Sequence, residues 1–176
     1  MPDYRKYTKP IDKLNSMTPD EKRAVLLSCC GSTRWAERVA ALLPMWDEGQ
    51  VLIIGERVWN ELAREDWLEA FRAHPKIGER RAETEVSEAA RRWSEGEQSR
   101  AGEASAETLA ALAEANREYE EKFGFIFIVC ATNRTAGQML SMLRERMRND
   151  AGTELRVAAE EQWRITELRV RKLLEK

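Results

Sequence analysis

The stretch TPDEKRAVLLSCCGSTRWAERVAALLP, residues 18–44, predicts two consecutive helices and decides the fold class. Thr18 is a suitable N-cap, Pro19 fits the first helical position, and Glu21 completes a capping box. Ser32 repeats the N-cap pattern before the second helix. The local chemistry of this stretch therefore predicts two helices joined by a short turn.

The helical pattern continues through most of the chain. Four further stretches carry apolar residues at helical spacing: 55–73, 105–124, 135–150 and 153–174. We find no repeat of fixed period and no linker long enough to separate two domains. The sequence therefore predicts an all-α single domain over residues 1–176, with a core from about residue 11 to residue 175.

The apolar run FGFIFIVCA, residues 123–131, interrupts the helical pattern. Its aromatic and β-branched residues favour a strand, but the sequence offers no second strand to pair with it. Unpaired buried amides are costly, so two interpretations stay open. The run is a helix or short core segment despite its propensity, or it is extended, with some backbone groups bound by something other than protein.

Composition and charge exclude several classes of function. Apolar residues make up 43% of the chain and charged residues 34%, as in ordinary globular domains. The 29 basic and 31 acidic residues are interspersed, without the one-sided basic stripe of a nucleic-acid-binding protein. The longest apolar run is far shorter than the about 20 residues that span a bilayer. We therefore expect neither a nucleic-acid nor a membrane partner.

The cysteines and the single histidine restrict the chemistry further. Cys29 and Cys30 are adjacent, and Cys130 lies inside the apolar run, so neither a C-x-x-C site nor a disulfide framework is present. This cysteine usage, with no signal-peptide pattern in the first residues, predicts a cytoplasmic location. One histidine excludes a His-based metal cage, and we expect no metal site.

That histidine, His74, lies in AFRAHPKIGERR, residues 70–81, at a predicted turn between helices. A histidine in such a turn is commonly a surface or capping residue. Pro75, however, stiffens the turn, and an imidazole titrates near neutral pH. His74 is therefore a candidate for proton transfer.

Two other polar elements have simple structural explanations. Ser94 and Glu97 in WSEGEQ, residues 93–98, form a capping box, although an open helix N-terminus can also hold an anion. Arg169 is one arginine among many, and a solvated helix face explains it. The chain has no G-x-S-x-G motif, phosphate loop or dinucleotide fingerprint. The residues alone thus indicate an all-helical domain with a candidate His/Glu pair.

A combination of three motifs resembles a known family. HPKIGE begins at residue 74, SEGEQ at 94 and YEEKFGFIFIVCA at 119, between LNSM at 14 and LRVRKLL at 168. In this order the motifs resemble the OHCU decarboxylases, which convert 2-oxo-4-hydroxy-4-carboxy-5-ureidoimidazoline (OHCU) to (S)-allantoin in the last step from urate. Met45, where bacterial members have Phe, and ATNRT at 131–135, which lacks the usual Gly, depart from the family pattern.

The resemblance implies an all-helical bundle, a homodimer, and a carboxy-lyase that needs no cofactor and acts on a small ureidoimidazoline. It implies three catalytic residues: His74, Glu97 and Arg169. It also implies eight substrate-binding residues: Pro75, Ser94, Gln98, Phe127, Ile128, Val129, Cys130 and Ala131. The main chain of the last five would hydrogen-bond the substrate ring, so the apolar segment would be extended and would line the site.

The chemistry implied by the resemblance suits these residue types. Loss of CO₂ leaves an electron pair that the conjugated ring can accept, so no thiamine or pyridoxal group is required. Arg169 can hold a carboxylate or carbonyl oxygen. His74 handles the proton, and Glu97 either orients His74 or takes the hydroxyl proton; which of the two is acid and which is base stays open. Two alternatives remain: a non-catalytic helical interaction domain, and a cofactor-free lyase for a related ureido-heterocycle.

Overall fold

The computed structural model describes residues 9–75 and 105–175, which contain eight helices and no strand. The helices are α1 (Pro10–Ser16), α2 (Pro19–Cys30), α3 (Thr33–Ala41), α4 (Glu48–Asn60), α5 (Arg64–Arg72), α6 (Ala106–Phe123), α7 (Ala136–Arg146) and α8 (Ala151–Leu174). The predicted all-α fold is confirmed. Among these helices, none is long and apolar enough to cross a membrane.

The predicted caps of α2 and α3 are present. The Thr18 hydroxyl accepts a hydrogen bond from the Glu21 N–H at 3.3 Å, and the Glu21 carboxylate accepts one from the Thr18 N–H at 2.8 Å. Ser32 caps α3 by accepting from the Trp35 N–H at 3.3 Å. Gly31 ends α2 in the left-handed region, at φ +81°. Local chemistry therefore defines both ends of α2 and the start of α3.

The helix predicted over residues 55–73 is wrong in its extent. Helix α4 ends at Asn60, and α5 begins at Arg64. The Asp66 carboxylate accepts the Ala63 N–H at 3.2 Å and so starts a new helix. Both helices bury an apolar face, so the apolar periodicity runs across the break without marking it.

Helix α8 is the centre of the packing and contacts α1, α2, α4 and α5. The rings of Trp35 and Trp163 lie 6.4 Å apart, and the Trp59 indole N–H donates to the Ala159 carbonyl at 3.0 Å. A Cβ added at Gly55 would come within 2.9 Å of the Trp163 ring, so α4 and α8 approach closely there. These contacts fix the orientation of α8. They therefore also fix the positions of the polar side chains of α8 that face the end of α2.

The apolar run between α6 and α7 is neither helix nor strand. Helix α6 ends at Phe123, and Gly124 turns the chain in the left-handed region, at φ +79°. The Phe125 ring lies 5.4 Å from that of Phe71 on α5, and both side chains are buried. The helical interpretation of this run is therefore wrong, and the run is a buried non-helical core segment.

Candidate active site

His74 lies in the turn that follows α5. Helix α5 ends before it, as expected upstream of Pro75, and the His74 N–H donates to the Phe71 carbonyl at 3.1 Å. Only 9% of the residue is exposed. The interpretation of His74 as a surface residue is therefore wrong, because the fold carries its imidazole into the interior.

Arg169 is also buried, with 3% of the residue exposed. Its Nη1 atom donates to the main-chain oxygen of Cys29 at 3.3 Å. Cys29 lies in the last turn of α2, where the carbonyl groups carry a partial negative charge that attracts cations. The solvated-face explanation of Arg169 is thus wrong, and the guanidinium is held against the end of α2.

His74 and Arg169 are close enough to interact electrostatically. Burial is the main cause that lowers the pKa of His74 to about 3, and the positive charge of Arg169 adds to the effect. The imidazole is therefore neutral at neutral pH. A neutral imidazole has one N–H donor and one lone pair, so it can accept a proton.

Two further polar residues of α8 lie on the same buried face. Gln162 and Thr166 are both fully buried, and the Gln162 Nε2 atom donates to the Cys30 carbonyl and to the Thr166 hydroxyl, each at 3.3 Å. Sequence reasoning missed both residues. The spacing of Gln162, Thr166 and Arg169 at i, i+4 and i+7 places them on one helix face, and this pattern could have identified them.

Side chains from two helices hold the apolar segment at Phe127–Ala131. Arg146 Nη1 donates to the Ile128 carbonyl at 2.8 Å, and the Cys130 N–H donates to the Glu161 carboxylate of α8 at 2.8 Å. For these two backbone groups the binding partner is protein. Contacts of this main chain with a substrate stay a prediction.

A buried ion pair holds the Arg146 side chain that binds the segment. Glu154 is fully buried, and its Oε1 atom lies 2.6 Å from Arg146 Nη2. The Asn149 amide donates to Glu154 at 2.8 Å, and the Tyr119 hydroxyl donates to the same carboxylate. Burial, reinforced by that carboxylate, holds the pKa of Tyr119 well above its usual range, so the hydroxyl stays a donor. The Arg146 guanidinium also lies 4.6 Å from the centroid of the Phe127 ring.

Of the predicted catalytic residues, the structure brings His74 and Arg169 together at the end of α2, with Pro75 next to His74 in the chain. Three other predicted site residues lie outside the described residues: Ser94, Glu97 and Gln98. Within residues 9–75 and 105–175, no group of three or more His, Cys, Asp and Glu side chains is arranged to hold a metal ion.

Comparison with known sequences points to one family. A family model described as OHCU decarboxylase matches residues 15–171. The uric acid degradation bifunctional protein TTL of Arabidopsis thaliana is 44% identical over 146 residues, which are 82% of this chain and 45% of that protein. The 2-oxo-4-hydroxy-4-carboxy-5-ureidoimidazoline decarboxylase of Haloferax volcanii is 30% identical over 135 residues, 77% of each chain. The chain thus spans about half the length of the Arabidopsis relative.

Solved structures agree with the sequence comparison. A crystal structure of OHCU decarboxylase in the presence of (S)-allantoin matches with a TM-score of 0.74 and 39% identity, over 85% of this chain and 96% of that one. A crystal structure of (S)-allantoin synthase matches with a TM-score of 0.71 over 95% of this chain and 54% of that one, and at 19% identity it supports the fold alone. With the family model covering residues 15–171, the chain belongs to the OHCU decarboxylase family.

Proposed function

We propose that the chain catalyses the cofactor-independent decarboxylation of OHCU to (S)-allantoin. The observation that carries this proposal is the buried pair formed by His74 and Arg169 in a chain of this family. A carboxy-lyase of this kind needs a cation to hold the anionic substrate and a group that moves one proton. The pair supplies both.

Arg169 holds a carboxylate or carbonyl oxygen of the substrate in this proposal. Its bond to the Cys29 carbonyl fixes the position of the guanidinium before substrate binds. Burial strengthens the attraction to a negative oxygen, because the effective dielectric constant of the interior is lower than that of water. A planar guanidinium also binds a carboxylate in a defined orientation, which the stereospecific reaction requires.

His74 moves the proton. Its neutral imidazole can take the proton of the substrate hydroxyl, and a bound substrate carboxylate would raise the pKa of the ring by favouring its charged form. As CO₂ leaves, the electron pair of the broken C–C bond passes into the conjugated ring. The proposed His74 imidazolium then delivers its proton to one face of the ring, and overall one proton is taken up from solvent.

The remaining predicted residues complete the proposed site. We assign Glu97 as the carboxylate that assists His74, and Pro75, Ser94 and Gln98 as residues that contact the substrate ring. The main chain of Phe127–Ala131 is the proposed platform for the ring, and its attachment to Arg146 and Glu161 supports this role because it makes the platform rigid.

The stereochemistry of the product tests the proposed reaction. OHCU decays spontaneously to racemic allantoin, so freshly generated OHCU is incubated with and without the protein, and the allantoin enantiomers are separated. Faster decay with an excess of (S)-allantoin supports the decarboxylase. A racemic product formed at the spontaneous rate contradicts it and leaves the interaction domain, or a lyase for a related ureido-heterocycle, as the explanation.

We also propose that the chain acts as a homodimer in the cytoplasm. Trp46 and Ile53 are 82% and 72% exposed, and we propose that these two apolar side chains are covered in the dimer. Cys29, Cys30 and Cys130 are free thiols, as in a reducing compartment. Size-exclusion chromatography with light scattering should give twice the chain mass of 20.3 kDa, and a monomer at micromolar concentration would contradict the dimer.

A further inference from the structure

Gln162 lies on the buried polar face of α8 that also carries Thr166 and Arg169, and the proposed reaction assigns it no role. Its side chain is fully buried, and its Nε2 atom makes the hydrogen bonds to the Cys30 carbonyl and the Thr166 hydroxyl. Within the described ranges, its Oε1 atom is buried and accepts no hydrogen bond of standard geometry. Because buried amide oxygens are nearly always bonded, this atom needs a donor nearby.

The neighbours of Gln162 fix which way its amide points. The Cys30 carbonyl can only accept a hydrogen bond, so the amino end of the amide must face it. A flipped amide would place Oε1 against that carbonyl oxygen and would lose the bond. The Thr166 hydroxyl donates to the main-chain oxygen of Gln162 at 3.0 Å, so its own oxygen can accept from Nε2. The amide oxygen is therefore directed away from the end of α2.

Among the described residues, the side chain of His74 can supply this donor. Its interaction with Gln162 favours the protonated ring, as expected for an amide oxygen beside an imidazole nitrogen. Arg169, whose charge also acts on His74, carries only donors and cannot accept an imidazole N–H. The Gln162 oxygen can accept it.

We propose that Gln162 is a positioning residue whose Oε1 atom accepts the N–H of one imidazole nitrogen of His74 and thereby selects its tautomer. The second nitrogen then keeps its lone pair and is available to the substrate, which makes His74 the proton acceptor in the first step. The identity of the substrate in this inference rests on the proposed function. The tautomer of the His74 imidazole does not depend on it. The second imidazole nitrogen accepts a proton from the substrate and later delivers the same proton to the substrate ring.

Nuclear magnetic resonance of the imidazole tests the inference directly, because His74 is the only histidine in the chain. In protein labelled with ¹⁵N-histidine, the two ring nitrogens should show the widely separated shifts of a single tautomer near neutral pH. In Gln162→Leu, which removes the amide, the shifts should move toward those of a tautomer mixture. Ile165→Val, a conservative change at a buried position of the same helix, is the matched control and should preserve the wild-type shifts.

Gln162→Glu keeps the test decisive if the leucine variant does not fold. The introduced carboxylate has the shape of the amide, and its charge should raise the pKa of His74 by about 1–3 units. An unchanged tautomer ratio in Gln162→Leu, or an unchanged pKa of His74 in Gln162→Glu, would overturn the inference.

Turnover separates this inference from the proposed function. If both hold, Gln162→Leu should lower kcat for OHCU about 10–100-fold with little change in KM, because a supporting hydrogen bond acts through His74 and not on substrate binding. If the wild-type protein does not accelerate OHCU decay, only the proposed function is contradicted. The ¹⁵N chemical shifts of the His74 ring nitrogens would still test the role of Gln162.

Discussion

Arg169 Nη1 lies 3.3 Å from the main-chain oxygen of Cys29, so the last helix is tied to the end of α2 by a buried guanidinium. The two residues are 140 positions apart in the chain, and the contact exists only in the folded protein. A cation at the carbonyl end of a helix is electrostatically favourable, which explains how the fold tolerates a buried arginine there. The same contact places the positive charge beside His74.

Replacing Arg169 with methionine should reduce kcat/KM for OHCU at least about 100-fold, because it removes the positive charge proposed to hold the substrate oxygen. The matched control is Arg171→Met on the same helix. Arg171 is partly exposed and pairs with Glu167 at 2.8 Å, a surface pair that contributes at most about 1 kcal/mol. Steady-state kinetics should show near-normal turnover for the control, and equal losses in the two variants would refute the role of Arg169.

His74→Asn should lower turnover about 10²–10⁴-fold, the range typical of a general acid–base residue, and Glu97→Gln should fall in the same range. The asparagine keeps a polar group in the turn but cannot take up the proton. Circular dichroism should show wild-type helix content in both variants. If both retained near-normal turnover, the proposed mechanism would be wrong even though the family assignment would stand.

Burial of His74 should make the protein less stable in acid. The pKa of His74 is about 3 in the folded protein and about 6.5 when unfolded, so between these values the unfolded chain binds more protons. The free energy of unfolding therefore falls as the pH drops below about 6.5, by up to about 1.4 kcal/mol per pH unit from this residue, until the pH reaches the folded value.

Urea unfolding at several pH values between 4 and 7 measures this effect as a difference between the wild type and His74→Asn. Carboxylates titrate in both proteins and cancel in the comparison. The stability of the variant relative to the wild type should rise as the pH falls. Parallel pH dependences would show that His74 is not held in its neutral form.

Much of the fold could be predicted because helix ends depend on neighbouring residues in the chain. Thr18 and Ser32 cap the helices at which the pattern predicted them, and the helical stretch predicted over 105–124 is α6, which Ser105 caps and Gly124 ends. Helix α1, the first half of α4 and the break between α4 and α5 were missed. The break depends on the Asp66 carboxylate binding a backbone N–H, and apolar periodicity does not detect such a bond.

The site could be predicted only in part, because its geometry depends on contacts between distant helices. The residue pattern alone favoured a solvated Arg169, and only the packing of α8 on α2 buries it. The sequence did not show which groups bind the backbone of the apolar segment, because the partners Arg146 and Glu161 lie on helices that follow the segment in the chain. Gln162 was missed because a single glutamine is not distinctive by itself, and only its spacing from Thr166 and Arg169 on the same helix face marks it.

Glu154→Gln should lower the free energy of unfolding by about 3–5 kcal/mol, because it leaves the Arg146 charge buried without its carboxylate partner. Glu114→Gln is the matched control, since it breaks an ion pair with Arg117 in which both side chains are more than half exposed. The control should cost at most about 1 kcal/mol. Urea unfolding measures both, and losses of equal size would show that the buried pair does not stabilise the fold.

Gly31→Ala should be more destabilising than Gly124→Ala, although both glycines have left-handed backbones, at φ +81° and +79°. A Cβ at Gly31 would lie 2.6 Å from the Cβ of Ala73, whereas nothing lies within 4 Å of a Cβ at Gly124. Both variants carry the backbone cost of about 1–2 kcal/mol. Only Gly31→Ala adds a steric clash, which typically costs about 1–3 kcal/mol more.

The two alanine variants should also differ in activity, because Ala73 immediately precedes His74. A methyl group at position 31 must push the end of α5 away from α2, and that movement displaces the imidazole relative to Arg169. Gly31→Ala should therefore lower kcat for OHCU well beyond the small effect of Gly124→Ala, measured at a temperature where both are fully folded. Equal activities would mean that the turn carrying His74 tolerates displacement, and the close approach of Gly31 to Ala73 would then serve stability alone.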